Sequence, residues 1–564
     1  MSQRLARTVL VLMLAFFGAF FFWPLAQVLR GGFVDTAGRP TLAFVTALLS
    51  DPLYLGALAN SALLALATTL AAFALGLPLA VLADRFRFPG KALLGSLVLV
   101  PLILPPFVGA IGIKHILGQY GALNALLIAV GLEPAGWTHD WLGTHRLAGI
   151  VLVNALSLFP IVYLNATAAL ANIDPALLEA AENLGCTGLR RFRRITLPLI
   201  KPGLFAGGTL VFIWAFTDLG VALVFDFPRL LPVQIYYGLR EIGGNPFPYA
   251  LTAIMLLGSV AVYALGRGLF GRDAHAMMAK ATHAGGPRDL PGPRAWLCTG
   301  VFAAVTFFAL LPHLGVLLVA GSNDWYRTVL PAEFSLRNFH LALGHDLTVP
   351  SIANSLKYAT AATLVDLGLG VALAYVIVRS RVAWRHVLDF AAMMPLAVPG
   401  IVLAFGYLAM SQEGRLFSFL NATRNPTALL IIAYSIRRLP YVVRSAVAGF
   451  QQTSVTLEEA AQNLGCPPLK AAWKVTLPLI GANLIAGGLL AFSFAMLEVS
   501  DSLVLAQKQA YYPITKAIYE LFQLLGDGEA IASALGVWAM AFLGIVIAAA
   551  TVVMGRKLGA LFRT

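Results

Sequence analysis

Charge is scarce in this chain. Asp, Glu, Lys and Arg make up only 12% of its 564 residues, where a soluble domain carries about 25%. Mean hydropathy is +0.81 and 59% of the residues are hydrophobic, so a soluble globular core is excluded. Cysteine is nearly absent. Cys186, Cys298 and Cys466 form no C-x-x-C pair and have no His at metal-ligand spacing, which argues against a disulfide framework and a zinc site. Cys186 and Cys466 each follow a glycine, at a place where a small residue fits. Also missing are the phosphate-cradling G-x-x-x-x-G-K-[ST], the metal-binding H-E-x-x-H and the nucleophile turn G-x-S-x-G. Gly90-Lys91 is the nearest approach to the first. The chain is therefore expected not to be an enzyme, with no catalytic residue, no metal and no cofactor of its own.

What the sequence does contain is a succession of apolar stretches, each near the ~20 residues that a helix needs to cross a bilayer core. They fall near 8–29, 56–83, 92–117, 148–170, 203–226 and 248–270, then near 296–320, 352–379, 384–410, 427–449, 482–506 and 531–555. The expectation is an all-α polytopic membrane protein with about 12 spans in two sixes. A net charge of +13 reads as orientation, because Lys and Arg of membrane proteins gather in cytoplasmic loops; no nucleic-acid partner is expected. Basic residues occupy alternate loops, at Arg4 and Arg7, Arg85 to Lys91, Arg190 to Arg194, Arg272 to Arg294, Arg379 to Arg385, Lys470 with Lys474, and Arg556 to Arg563. Both termini should then be cytoplasmic. The apolar run from Thr8 to Leu29 is too long for a signal peptide and lacks a cleavage site, so it reads as an uncleaved first span.

The two sixes repeat one another. NSALLALATTLAAFALGLPLAV from Asn60 aligns with NSLKYATAATLVDLGLGVALAY from Asn354, and PLILPPFVGAIG from Pro101 with PLAVPGIVLAFG from Pro395, both at an offset of 294. Later motifs align at an offset of 280, which places extra residues of the first half in the outer loop 131–147. The halves are read as 1–271 and 296–564, joined by a Gly-, Pro- and Arg-rich cytoplasmic linker at 272–295. Six is even, so the repeat is parallel and its pseudo-twofold axis runs along the membrane normal.

One motif recurs in the loop after the fourth span of each half. EAAENLGCTGLRRFRRITLPLIKPG, in loop 172–202, matches EAAQNLGCPPLKAAWKVTLPLIGAN, in loop 452–482, with identical internal spacing. In the first copy Asp174 suits an N-cap, Pro175 the first helical position, and Gly185 a left-handed stop, which Gly465 repeats. A second short helix should lead to Leu197-Pro198, where the residue before proline leaves the helical region and the chain turns back into the membrane.

The motif pair resembles the Glu-Ala-Ala loop of bacterial binding-protein-dependent import permeases, and the resemblance extends over both halves. Gln462 and Val475 depart mildly from the pattern. It implies the type I fold of importer permeases driven by ATP-binding-cassette subunits, in a bacterial plasma (inner) membrane. It also implies coupling residues at Glu179, Ala180, Ala181, Gly185, Leu197 and Pro198, and at Glu459, Ala460, Ala461, Gly465, Leu477 and Pro478. The implied partners are two copies of a cytoplasmic ATP-binding subunit, which bring ATP and Mg, and an external solute-binding protein. A fused two-half chain with PLILPP and PLAVPG turns, DLG in the fifth span and RRLPYVVRS in the tenth resembles ferric-iron import permeases most. Thiamine, aminoethylphosphonate and polyamine importers are alternatives of the same class, and an ion-coupled secondary transporter is the alternative of another class.

Ionisable residues inside spans are functional candidates because they are costly there. Asp218 in FIWAFTDLG and Glu498 in FSFAMLEVS sit at equivalent positions, offset by 280, and could form a gate or meet a cationic ligand. Arg437 and Arg438 could hold an anion in a watery path, or pair with Asp218, Glu498, Asp366 or Asp389. Lys114 and His115 are expected at the outer interface.

Overall fold

The computed structural model describes residues 3–35, 37–143, 146–270 and 288–554. In the first half, α1 (Gln3–Phe17) continues into α2 (Trp23–Phe33) through a π-type turn at Gly18–Phe22. The long α3 (Pro52–Arg85) starts where Asp51 accepts a hydrogen bond from the Leu53 amide at 2.8 Å and Pro52 presets the first turn. It ends in β1 (Phe86–Arg87). α4 (Lys91–Leu97) and α5 (Pro106–Leu117) follow, then α6 (Arg146–Ala171), α7 (Pro175–Asn183), α8 (Gly188–Arg191), α9 (Leu197–Phe216), α10 (Gly220–Val224) and α11 (Phe247–Phe270).

β2 (Arg288–Asp289) lies in the expected linker, and α12 (Gly292–Ala320) leads into the second half. It continues with α13 (Thr348–Arg379), α14 (Arg385–Met393), α15 (Gly400–Met410) and α16 (Thr427–Gln452). α17 (Val455–Asn463), α18 (Pro468–Ala471), α19 (Gly481–Met496), α20 (Ser500–Leu505) and α21 (Gly528–Met554) follow. Most of the expected linker, residues 272–287, lies outside the described residues; α12 begins inside its last four.

Among the described residues, eight helices are long and apolar enough to cross a membrane, or eleven if three bent pairs each count as one span. The remaining expected span, α16, has 26 residues but carries Arg437, Arg438 and Arg444, so composition alone does not qualify it. The third and ninth spans are not straight, as the apolar runs suggested, but bend by 100° and 103°. The cause is local. Pro105 is followed by Pro106 and takes an extended ψ of 131°, and Pro399, before Gly400, has ψ 139°; a proline also denies the ladder a donor.

The halves exchange their first helices. α2 packs on α15, and α12 packs on α5. The Tyr407 hydroxyl donates to the Phe20 carbonyl at 2.7 Å, and the Thr299 hydroxyl to the Pro89 carbonyl at 2.9 Å. β1 pairs in parallel with β2, Phe86 opposite Arg288, so α12 starts at the end of the bundle where α3 stops. α12 crosses and α13 returns, which brings the end of α13 and the repeated motif after α16 to the same end as the motif after α6.

Candidate functional site

The repeated motif forms a helical knob in each half. In the first, Asp174 accepts from the Ala176 amide at 2.9 Å and Pro175 opens α7. In the second, the Ser454 hydroxyl accepts from the Thr456 amide at 3.3 Å. Both helices stop the same way. The Gly185 and Gly465 amides donate to the Glu182 and Gln462 carbonyls, each at 2.9 Å, and the Cys186 and Cys466 amides donate to Ala181 and Ala461 at 2.8 and 3.0 Å. This Schellman pattern needs a left-handed residue after the cap. Gly185 has φ +73° and Gly465 has φ +83°, a region that costs a residue with a Cβ about 1–2 kcal/mol.

Beyond the stop, the first knob departs from the expected course. Leu197 stays helical, with φ −61° and ψ −45°, and the chain passes through Leu197-Pro198 into the membrane as one continuous helical segment. A π-type turn at Phe192–Thr196 precedes the proline, and its wider ring makes room where an α-turn would clash with the proline ring. The second knob has the same π-type turn at Ala472–Thr476. There the break comes later, at Ile480, with a bend of 74°.

Glu179, Ala180, Glu459 and Ala460 are exposed, as are Pro198 and Pro478; Ala181 is buried and Ala461, Leu197 and Leu477 are half-buried. Around each exposed glutamate lie matched leucines open to solvent: Leu177, Leu184 and Leu189 in one knob, Leu457, Leu464 and Leu469 in the other. Leu184 is 87% exposed and Leu464 is 90% exposed, so each knob presents bare apolar side chains at matched positions.

Different ionic contacts hold the two knobs. In the first, Arg191 pairs with Glu182 within the knob, and Arg85 at the end of α3 donates to the Thr196 hydroxyl at 3.2 Å. In the second, the buried Glu458 accepts from Arg379 at 3.2 Å and from the Thr476 hydroxyl at 2.9 Å. Arg379 also donates to the Thr453 carbonyl at 2.6 Å. Sequence reasoning passed over Glu458 because it stands beside the motif glutamate; Leu178 occupies its place in the first half. The signal was there, as an acidic residue at a position its repeat fills with leucine.

The second site lies between the halves. Asp218 and Glu498 both line a cavity of about 180 Å³, together with Asn154, Trp214, Arg437 and Phe494. Each carboxylate precedes a short helix and accepts one of its free amides at 3.4 Å, from Val221 to Asp218 and from Asp501 to Glu498. Trp214 and Phe494, themselves equivalent, meet edge to face at 6.3 Å across the cavity.

Here the likeness between the halves ends. Glu498 pairs with Arg437 at 2.9 Å and with Arg438, and Arg437 also faces Asp501 at 3.6 Å. Asp366 accepts from the Ser435 hydroxyl on the same helix as both arginines, and Arg444 pairs with Asp389 at 3.5 Å. The residues equivalent to Arg437 and Arg438 in the first half are Ser157 and Leu158. Asp218 accordingly has the Asn154 amide, at 3.1 Å, in place of an arginine. Asp501 and Asn154 were not singled out in the sequence: the first follows Glu498 too closely to stand apart, and the second is an ordinary polar residue in a span. Lys114 and His115 both pair with Glu529 at 2.9 Å, joining α5 to α21.

A family model described as the inner-membrane component of binding-protein-dependent transport systems matches residues 72–275 and again 366–562, together more than half of the chain. A protein of Haemophilus influenzae that carries the name of a ferric transport system permease is 25% identical over 472 residues, 82% of this chain and 70% of its own length. A ferric transport system permease of Actinobacillus pleuropneumoniae is 25% identical over 469 residues. That match covers 81% of this chain and 64% of the relative, so the chain spans about two thirds of both proteins. A Haloferax volcanii protein named as a molybdenum transporter permease is 34% identical over 221 residues, 38% of this chain and 77% of its own length.

Proposed function

The chain belongs to the family of inner-membrane components of binding-protein-dependent transport systems, and on that footing we propose that it is the permease of an ATP-driven importer. Its knobs seat two cytoplasmic ATP-binding subunits, which supply ATP and Mg. An external binding protein delivers a small solute to the passage between the halves, and both termini face the cytoplasm. ATP-driven closure of the two partner subunits moves the knobs, and the halves alternate the side on which the passage opens. The observation that carries this reading is the pair of solvent-open leucine faces beside Glu179 and Glu459. Exposed apolar patches rimmed by charge mark contact surfaces.

Changing Glu179 and Glu459 together to Arg tests it. The ATP-binding subunit should no longer co-purify and uptake should be lost; unchanged co-purification and transport overturn the assignment. For the solute we propose ferric iron, supported by the two ferric-transport relatives. Thiamine, aminoethylphosphonate and polyamines are the alternatives. ATP hydrolysis by the reconstituted complex, measured with its binding protein loaded in turn with each ligand, distinguishes them.

A further inference from the structure

We infer that Asp218 is the contact through which the passage selects a small inorganic cation, a reading that rests on the importer function proposed above. Lys91–Leu102, at ~1.5 Å per residue, rises about 18 Å before the bend at Pro105, roughly half of a ~30 Å hydrocarbon core. Residues of that bend, Pro105 and Pro106, line the cavity, as does Gly400 at the equivalent bend of the second half. The cavity therefore lies near mid-membrane and between the halves, where a solute must pass.

Its lining carries two basic and two acidic side chains, Arg437 and Arg438 against Glu498 and Asp218, but the pairing among them is unequal. Both arginines are taken up by Glu498, and Arg437 also by Asp501. Asp218 remains, and it accepts from a neutral side chain and a backbone amide. A carboxylate without a counter-charge is costly inside a span, and the hydroxyl-bearing Ser157, Thr217 and Ser500 beside it are further hard oxygen donors. Such donors favour hard cations. About 180 Å³ admits an ion with a few waters but is small beside the ~300–1,000 Å³ of organic-ligand pockets. Among the described residues no group of three or more His, Cys, Asp or Glu could hold a metal ion. Asp218 thus meets the ion in transit, with the weak grip that passage requires. An oxyanion such as molybdate would meet like charge at Asp218.

The test uses the full complex with its ATP-binding subunits and binding protein in proteoliposomes, with ferric ion as probe and molybdate as counter-probe. Asp218→Asn keeps the shape and the capping capacity, since Asn caps as well as Asp. It should lower ferric uptake about tenfold or more, while ATP hydrolysis stimulated by the loaded binding protein stays within about twofold of wild type. Asp218→Glu should retain much of the uptake. Ferric uptake by Asp218→Asn equal to that of wild type overturns the inference and leaves the importer reading intact. If instead the wild-type complex imports molybdate but not ferric ion, the ferric reading and this inference both fall. ATP-independent uptake overturns the importer reading itself.

Discussion

Gly400 has no side chain because Arg437 uses the space: a Cβ there would collide with the guanidinium. The first half has Pro106 at that position, and Ser157 where Arg437 would be, so the two differences belong together. Gly400→Ala should push Arg437 off Glu498 and lower the melting temperature in detergent, whereas Pro106→Ala, which disturbs no ion pair, should lower it less. The same contrast separates the two carboxylates. Glu498→Gln strips the acid from the buried Arg438 and one of two acids from the half-buried Arg437, a loss of about 3–5 kcal/mol; Asp218→Asn removes no ion pair seen in the structure. The first should show in thermal unfolding and the second in uptake. The sequence exposed Asp218 and Glu498 as an equivalent pair, because intramembrane charge is rare. It could not show that they differ in role, because that depends on which side chains reach them from α6 and α16.

At the scale of elements, the knobs were the most legible part of the molecule, since caps and stops are written in local chemistry. Asp174, Pro175, Gly185 and Gly465 do what their residue types dictate. Gly465→Ala should destabilise the second knob by about 1 kcal/mol through strain at φ +83°, read as faster amide exchange over 455–463. The second knob also depends on α13. Glu458→Gln should weaken its hold on Arg379 and free the same segment more strongly; the first half has Leu178 at that position. The π-type turns and the late break at Ile480 were not legible: Leu-Pro reads as a boundary in any sequence, and only the wider turn before it lets the helix continue. The bends near 100° escaped for a related reason, since hydropathy counts apolar residues without regard to their direction.

For the whole molecule, the duplication predicted two similar halves but not their exchange of first helices. Nothing in an apolar stretch says which neighbour it will face. Because α2 lies on α15 and α12 on α5, neither half completes its packing alone. A chain severed between residues 275 and 285 should still purify as one complex when its pieces are made together, and either piece made alone should aggregate in detergent. Covalent joining also fixes the parity of what stands on the axis. A passage built from two identical copies must carry every central charge twice, so its net count there is always even. This chain carries Arg437, Arg438 and Asp501 once each, where the first half has Ser157, Leu158 and Val221, and the count can be odd. Were the second half replaced by a copy of the first, two carboxylates would face each other with no arginine between them, and the passage would become a different filter while keeping the same architecture.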